Sequence, residues 1–216
     1  MSTTSESGRE ALCRAAQALH AAGLAPGTSG NLSLRWADGL LITPSGQPYP
    51  TLQPADLVEI DAAGRVRAGA QQPSTELPLH RTIYAARAEV RAIVHTHSRH
   101  ATALACARRG IPALHYLVAV TGGSDVPCAE YATFGSDELA AHALRALAGR
   151  KAALLANHGV VAVGASLDEA LDLAGEVENL ACQYLLLLAA GLEPTVLDAA
   201  EMERVRARFA GYRRDR

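Results

Sequence analysis

Asn31-Leu32-Ser33-Leu34-Arg35-Trp36, a turn at Asp38-Gly39, and Leu40-Leu41-Ile42 read together as a β-hairpin. Polar and apolar side chains alternate at period two in the first run, as on a half-buried strand, and Asp-Gly turns the chain at low steric cost. Strands joined so tightly pair antiparallel, because parallel neighbours need a long crossover. Upstream, Leu12, Ala15, Ala16 and Leu19 recur at helical spacing, which predicts a helix from Glu10 to Ala22 that stops at Gly23. Downstream, Val58-Glu59-Ile60 predicts a strand ahead of a turn near Ala63-Gly64. A helix is then expected from Ser74 or Thr75 to about Arg87, followed by the apolar strand Ala92-Ile93-Val94. Ser136 and Asp137 open a helix to Ala148, and strands fill Leu154 to Val163. Ser166-Leu167-Asp168-Glu169 is a capping box for a helix reaching about Ala190, and Asp198 with Glu201 opens a last helix to about Phe209. Early hairpins with interspersed helices predict an α/β sandwich with a mixed or largely antiparallel sheet, not a doubly wound one. No repeat or linker divides the chain, so one domain over residues 1–216 is expected.

Composition narrows the function. At 216 residues and 49% hydrophobic, the chain can bury a sizeable core. A formal charge of -2 offers no general attraction to nucleic acid or to an anionic membrane. Tyr184 to Leu192, the longest apolar stretch, is too short to span a bilayer, and Met1 to Glu10 has no apolar core of a secretory signal. A cytoplasmic protein is the expectation. Cys13, Cys106, Cys128 and Cys182 are far apart, which suggests neither a thiolate zinc site nor a disulfide framework; they are expected to be small buried apolar residues. Lys151 is the only lysine, and its place in Gly149-Arg150-Lys151 predicts a solvated turn before an apolar strand. Schiff-base chemistry is therefore disfavoured.

His95-Thr96-His97 carries the strongest chemical signal. Residues two apart on a strand project to one face, so both imidazoles can grip one ion, and His158 lies in a similar apolar setting between Leu154-Leu155-Ala156-Asn157 and Gly159-Val160-Val161. Three neutral nitrogen ligands leave a coordination position open, as at a catalytic metal. Zinc suits this set; manganese, cobalt and iron also accept imidazoles. The separate His20, His80, His100, His115 and His142 receive no role. Pro73-Ser74-Thr75-Glu76 offers hydroxyls and free N–H groups at a helix start, fit for a phosphate monoester, although an ordinary N-cap with Glu76 on the helix dipole gives the same pattern. Gly27-Thr28-Ser29-Gly30-Asn31 and Thr43-Pro44-Ser45-Gly46 have similar chemistry, and neither is a Walker loop or a dinucleotide fingerprint.

These segments, with Ile42 to Tyr49, Ile111-Pro112-Ala113-Leu114-His115-Tyr116, Tyr131-Ala132-Thr133-Phe134-Gly135 and Asn157-His158-Gly159, occur in an order that resembles the class II aldolase/adducin-head family. Within it the likeness is to the L-fuculose-1-phosphate aldolases and spans about Glu10 to Tyr212. The resemblance implies a three-layer sandwich, a largely antiparallel central sheet flanked by helices. It implies one Zn²⁺ per subunit on His95, His97 and His158, and a substrate phosphate held by Gly30, Asn31, Ser45, Gly46, Ser74 and Thr75. Glu76 would be the catalytic acid/base and occupy the open metal position when no substrate is bound. Tyr116 and Tyr212 would reach a neighbouring subunit's site, and Phe134 would shape the aldehyde end. The family's homotetramer, with sites at subunit borders, would follow. Implied too is reversible cleavage of a ketose 1-phosphate, L-fuculose 1-phosphate or a related deoxy sugar phosphate, to dihydroxyacetone phosphate and an aldehyde. The alternatives are a pentulose-5-phosphate 4-epimerase, whose relatives tend to carry Asp at the place of Glu76, a methylthioribulose-1-phosphate dehydratase or aldolase, and a non-catalytic adducin-like interaction domain. This chain has Ser74-Thr75 where two serines are common in the family, and the hydroxyl is kept.

Overall fold

The expected hairpin is formed by β1 (Asn31–Trp36) and β2 (Gly39–Ile42), which pair antiparallel with Trp36 opposite Gly39. The computed structural model describes residues 3–212, with side chains over 8–211. The other strands are β3 (Val58–Ile60), β4 (Val66–Ala68), β5 (Ala92–Thr96), β6 (Cys128–Ala129), β7 (Ala152–Leu155) and β8 (Gly159–Gly164). Among the described residues they make one eight-stranded sheet in the order β4-β3-β2-β1-β5-β8-β7-β6. Every neighbouring pair is antiparallel except β6 with β7.

Helices α1 (Thr3–Ala21), α2 (Leu77–Ala86), α3 (Arg99–Cys106), α4 (Asp137–Ala146), α5 (Leu167–Ala189) and α6 (Ala199–Tyr212) cover the sheet. Strand parity sorts the core into two. Leu32, Leu41, Ala92, Val94, Leu154, Val160 and Ala162 pack toward α1, α3 and α5, whereas Ile42, Ile93, Ala153, Leu155, Val161 and Val163 pack toward α2 and α4. Helices on both faces of a largely antiparallel sheet make the three layers of the expected α/β sandwich.

Local chemistry moved several expected boundaries. The first helix begins at Thr3 rather than Glu10. The second expected helix begins at Leu77, not Ser74 or Thr75, because Pro78 suits a first helical turn and Glu76 takes the N-cap place. The strand β4, the helix α3 and the 3-10 turn Tyr116–Thr121 were not anticipated. Only Cys13 is buried; Cys106 is exposed, and Cys128 and Cys182 are intermediate, because they lie at element ends or on a partly exposed helix face. Lys151 is not simply solvated: its Nζ donates to Glu169 Oε1 at 2.7 Å.

Candidate active site

His95 belongs to the same strand parity as Ile93, so it faces the α2 side, and its side chain is fully buried. His97 follows β5 by one residue beyond its end. His158 is not borne on a strand, as the sequence suggested, but sits in the tight turn Ala156-Asn157-His158 between β7 and β8, where Asn157 adopts a left-handed φ of 53°. Pairing of β5 with β8 places His95 opposite Val161 and Thr96 opposite Val160, which brings this turn against His97. The three rings form a near-equilateral triangle, with centroids 4.9, 4.8 and 4.9 Å apart and planes at 73–79° to one another.

Glu76 enters from the start of α2. Its Oε2 lies 2.9 Å from His95 Nε2 and its Oε1 3.3 Å from His158 Nε2. Asn31 Nδ2 donates to Oε2 at 2.8 Å. One ligand atom from each of Glu76, His95, His97 and His158 falls within 4.8 Å of all the others.

The donor chemistry of this cluster fits a divalent cation. His95 Nδ1 donates to the Val160 carbonyl at 2.7 Å, which leaves a lone pair on Nε2 of the neutral ring. That lone pair faces Glu76 Oε2 and also His97 Nε2, 3.0 Å away. Glu76 Oε1 is buried without a hydrogen-bond partner. Electron-rich atoms so crowded repel unless positive charge lies among them, and three imidazoles with a carboxylate are a set that zinc and similar ions accept.

Electrostatics supports neutral rings at His97 and His158, and a proton or other positive charge at His95. Burial, together with the nearby His95, depresses His97 and His158 each from 6.5 to about 4. Burial alone would raise Glu76, but His95 and His158 hold its carboxyl well below the usual range. Desolvation works to lower His95 as well, yet the Glu76 carboxylate beside it gives a net upward shift.

This cluster floors a cleft of about 290 Å³. Gly30, Asn31, Ser45, Gly46, Ser74, Thr75 and Phe134 all line it, so the structure brings these candidates to one place with Glu76, His97 and His158. His95 lies beneath, too buried to reach the wall. Ser74 Oγ accepts from the Glu76 N–H at 3.2 Å, which ties the hydroxyl-bearing turn to the carboxylate. Gly30 has a φ of 77° and passes so close to β5 that a Cβ there would lie 2.7 Å from the His95 carbonyl oxygen. Tyr49 braces the same loop by donating from its hydroxyl to Gly30 O at 2.8 Å.

Two candidates are elsewhere. Tyr116 is 49% exposed, stacks on Phe209 with centroids 6.2 Å apart, and does not line the cleft. Tyr212 ends α6, and its side chain lies outside the described residues. Thr28, Tyr131 and Asn157, not singled out individually, also line the cleft. His80 was set aside as an isolated histidine, but it is fully buried and its Nε2 lies 2.5 Å from Asn31 Oδ1. Its spacing of four residues from Glu76 was the available signal.

Comparison with known proteins agrees with this geometry. Residues 10–185 match the family model described as class II aldolase and adducin N-terminal domain. The chain is 51% identical over 204 residues to the 5-methylthioribulose-1-phosphate/5-deoxyribulose-1-phosphate aldolase of Rhodospirillum rubrum, covering 94% of this chain and 91% of that protein. It is 45% identical over 190 residues to the L-fuculose phosphate aldolase of Escherichia coli K12, covering 88% of each. A solved L-fuculose 1-phosphate aldolase superposes with a TM-score of 0.90 at 40% identity, covering 94% of this chain and 96% of that one. With the family match spanning most of its length and aldolases among its relatives, the chain belongs to the class II aldolase and adducin N-terminal domain family, as one of its carbon–carbon lyases.

Proposed function

We propose that this aldolase uses Zn²⁺ on His95, His97 and His158 to cleave a terminally deoxygenated ketose 1-phosphate reversibly into dihydroxyacetone phosphate and a small aldehyde. The observation that carries this reading is the convergence of three imidazoles and Glu76 on the floor of a cleft rimmed by Gly30, Ser45, Gly46, Ser74 and Thr75. The relatives' names supply the substrate class: L-fuculose 1-phosphate, 5-deoxyribulose 1-phosphate and 5-methylthioribulose 1-phosphate all end in an apolar group. Tyr131, Ala132 and Phe134 give the cleft an apolar side that suits such an end.

A divalent ion held by His95, His97 and His158 would supply positive charge to offset the negative charge that builds as the carbon–carbon bond breaks, a contribution on the order of several kcal/mol. The remaining steps fall to the chain. Hydroxyls and N–H groups of Gly30, Asn31, Ser45, Gly46, Ser74 and Thr75 hold the phosphate dianion and so orient the donor half. Glu76, ionised at rest, takes up a proton from solvent and passes it to the donor carbon on cleavage, and removes one there on synthesis. The proton on the aldehyde oxygen is handled by Tyr116 of a neighbouring subunit in a homotetramer with sites at subunit borders, which agrees with the absence of Tyr116 from its own chain's cleft.

Metal analysis of the purified protein, joined to dihydroxyacetone phosphate release from those three ketose 1-phosphates, tests the reading. Stoichiometric zinc and turnover abolished by chelation are expected. Glu76→Gln should retain zinc and turn over about 10²-fold slower or worse. A protein that stays active when free of metal, or a Glu76→Gln variant at full rate, would refute it.

A further inference from the structure

Beneath the cleft a buried polar row joins β1 to α2. Glu76, His80 and Tyr84 recur every four residues and therefore share one face of the helix and its cap, while Asn31 and Ser33 alternate onto the strand face opposite. Ser33 Oγ is 2.6 Å from His80 Nδ1 and 2.9 Å from Tyr84 Oη; His80 Nε2 is 2.5 Å from Asn31 Oδ1; Asn31 Nδ2 is 2.8 Å from Glu76 Oε2. Asn31, Ser33 and His80 are all at most 4% exposed, so the bonds of His80 to Ser33 and Asn31 are shielded from bulk water.

The direction of every bond in the row is fixed by one end. An ionised carboxylate only accepts, so the Asn31 amide must turn its NH₂ to Glu76 and its oxygen to His80. His80 must then carry its proton on Nε2 and accept on Nδ1. Ser33 accordingly donates to the ring and accepts from the Tyr84 hydroxyl. Burial, reinforced by His95, depresses His80 to about 3, so the ring is neutral and has a single N–H to give. The reversed amide would set two oxygens against each other at Glu76 and leave His80 facing an NH₂ group.

We infer that His80 is a positioning residue: through Asn31 it fixes a donor on Glu76 Oε2, which leaves Oε1 as the carboxylate oxygen free to exchange a proton with substrate. The inference rests on the acid/base role proposed for Glu76. It goes beyond that role in assigning a function to a histidine that reaches neither the cleft nor the cluster of possible metal ligands.

Two measurements test it. Nitrogen-15 NMR of the imidazoles, recorded on the holoenzyme without substrate, should show His80 as a neutral Nε2–H tautomer, and the signal should change tautomer balance in Asn31→Leu. An Nδ1–H ring in the wild type would overturn the assignment whatever the enzyme's substrate. In kinetics, His80→Leu should lower kcat about 10- to 100-fold with zinc content retained and KM changed far less, and His80→Gln, which keeps a donor and an acceptor, should recover most of the loss. In the Asn31→Leu background His80→Leu should cost almost nothing further, because the path to Glu76 is already cut. Additive losses, or a His80→Leu variant that merely unfolds earlier while turning over normally, would overturn the inference. A Glu76→Gln variant at full rate would instead sink the acid/base reading, which the ring tautomer does not depend on.

Discussion

His80, His97 and His158 all hold their imidazoles in the neutral form against the ordinary 6.5, down to about 3 for His80 and about 4 for the other two, with burial as the first cause. In the unfolded chain each takes up a proton near 6.5, so between pH 6.5 and 4 the unfolded state binds more protons and stability rises with pH. Glu76 adds to the same trend lower down: its depressed carboxyl contributes stability above 4.5 that is lost as acid protonates it. His95 acts the other way, since its raised value favours the folded state below 6.5 and loses that contribution as pH rises through it. Below 6.5 that contribution is already fully present and constant, so between pH 6.5 and 4 the three depressed rings set the slope. The melting temperature of the metal-free protein should therefore fall steadily from pH 6.5 to 4; a flat or rising profile would show that the rings are not held neutral. At this scale the sequence was legible where residue type and spacing coincide. His95-Thr96-His97 announces itself, whereas the value of His80 depends on a partner 49 residues away, which its spacing of four residues from Glu76 does not identify.

Elements act here as rigid holders, and their contact distances set the site. Gly159 opens β8 directly after His158, and a Cβ there would lie 2.2 Å from the Thr96 carbonyl oxygen and 3.0 Å from His97 Cδ2. No side chain fits without moving β8 away from β5. Gly159→Ala should lower stability by about 1–3 kcal/mol and weaken metal binding about 10- to 100-fold in chelator competition. Gly175→Ala, within α5 and with nothing within 4 Å of its Cβ, is the control, and should instead stabilise by about 0.5–1 kcal/mol. Equal melting temperatures for both variants would contradict the close approach. The long periodic helices and the β1–β2 hairpin were readable because each carries its own burial pattern. β6 has two residues and β4 has three, all three of them exposed, so neither offers a period to detect. The position of His158 was misjudged for a related reason: the apolar run continues on both sides of it, and only the left-handed backbone at Asn157 marks the turn.

Under the proposed homotetramer a single chain would present an unfinished active site. Its cleft is open, Phe134 at the rim is 65% exposed and Tyr131 51%, and among the described residues Tyr131 is the one tyrosine that lines it. The Tyr116–Phe209 stack meanwhile offers aromatic surface on the face of the sheet opposite α2, where 49% of Tyr116 is uncovered. Large half-exposed aromatics are what an interface between subunits covers. Under the proposed ring-like homotetramer, the Tyr116 of one subunit completes the cleft of the next, and the particle mass should be about four times 22.6 kDa. Subunit mixing tests this more sharply than mass. Glu76→Gln and Tyr116→Phe should each make a nearly inactive homo-oligomer, since each removes a proton-transfer group from every site. Dissociated together and reassembled, the two variants place an intact Glu76 beside an intact Tyr116 in on the order of a quarter of the sites, and that fraction of wild-type activity should return. If Tyr116 served its own chain, every site would still carry one defect or the other. The mixture would then stay as inactive as its parts, and that result would end the shared-site reading while leaving the metal cluster untouched.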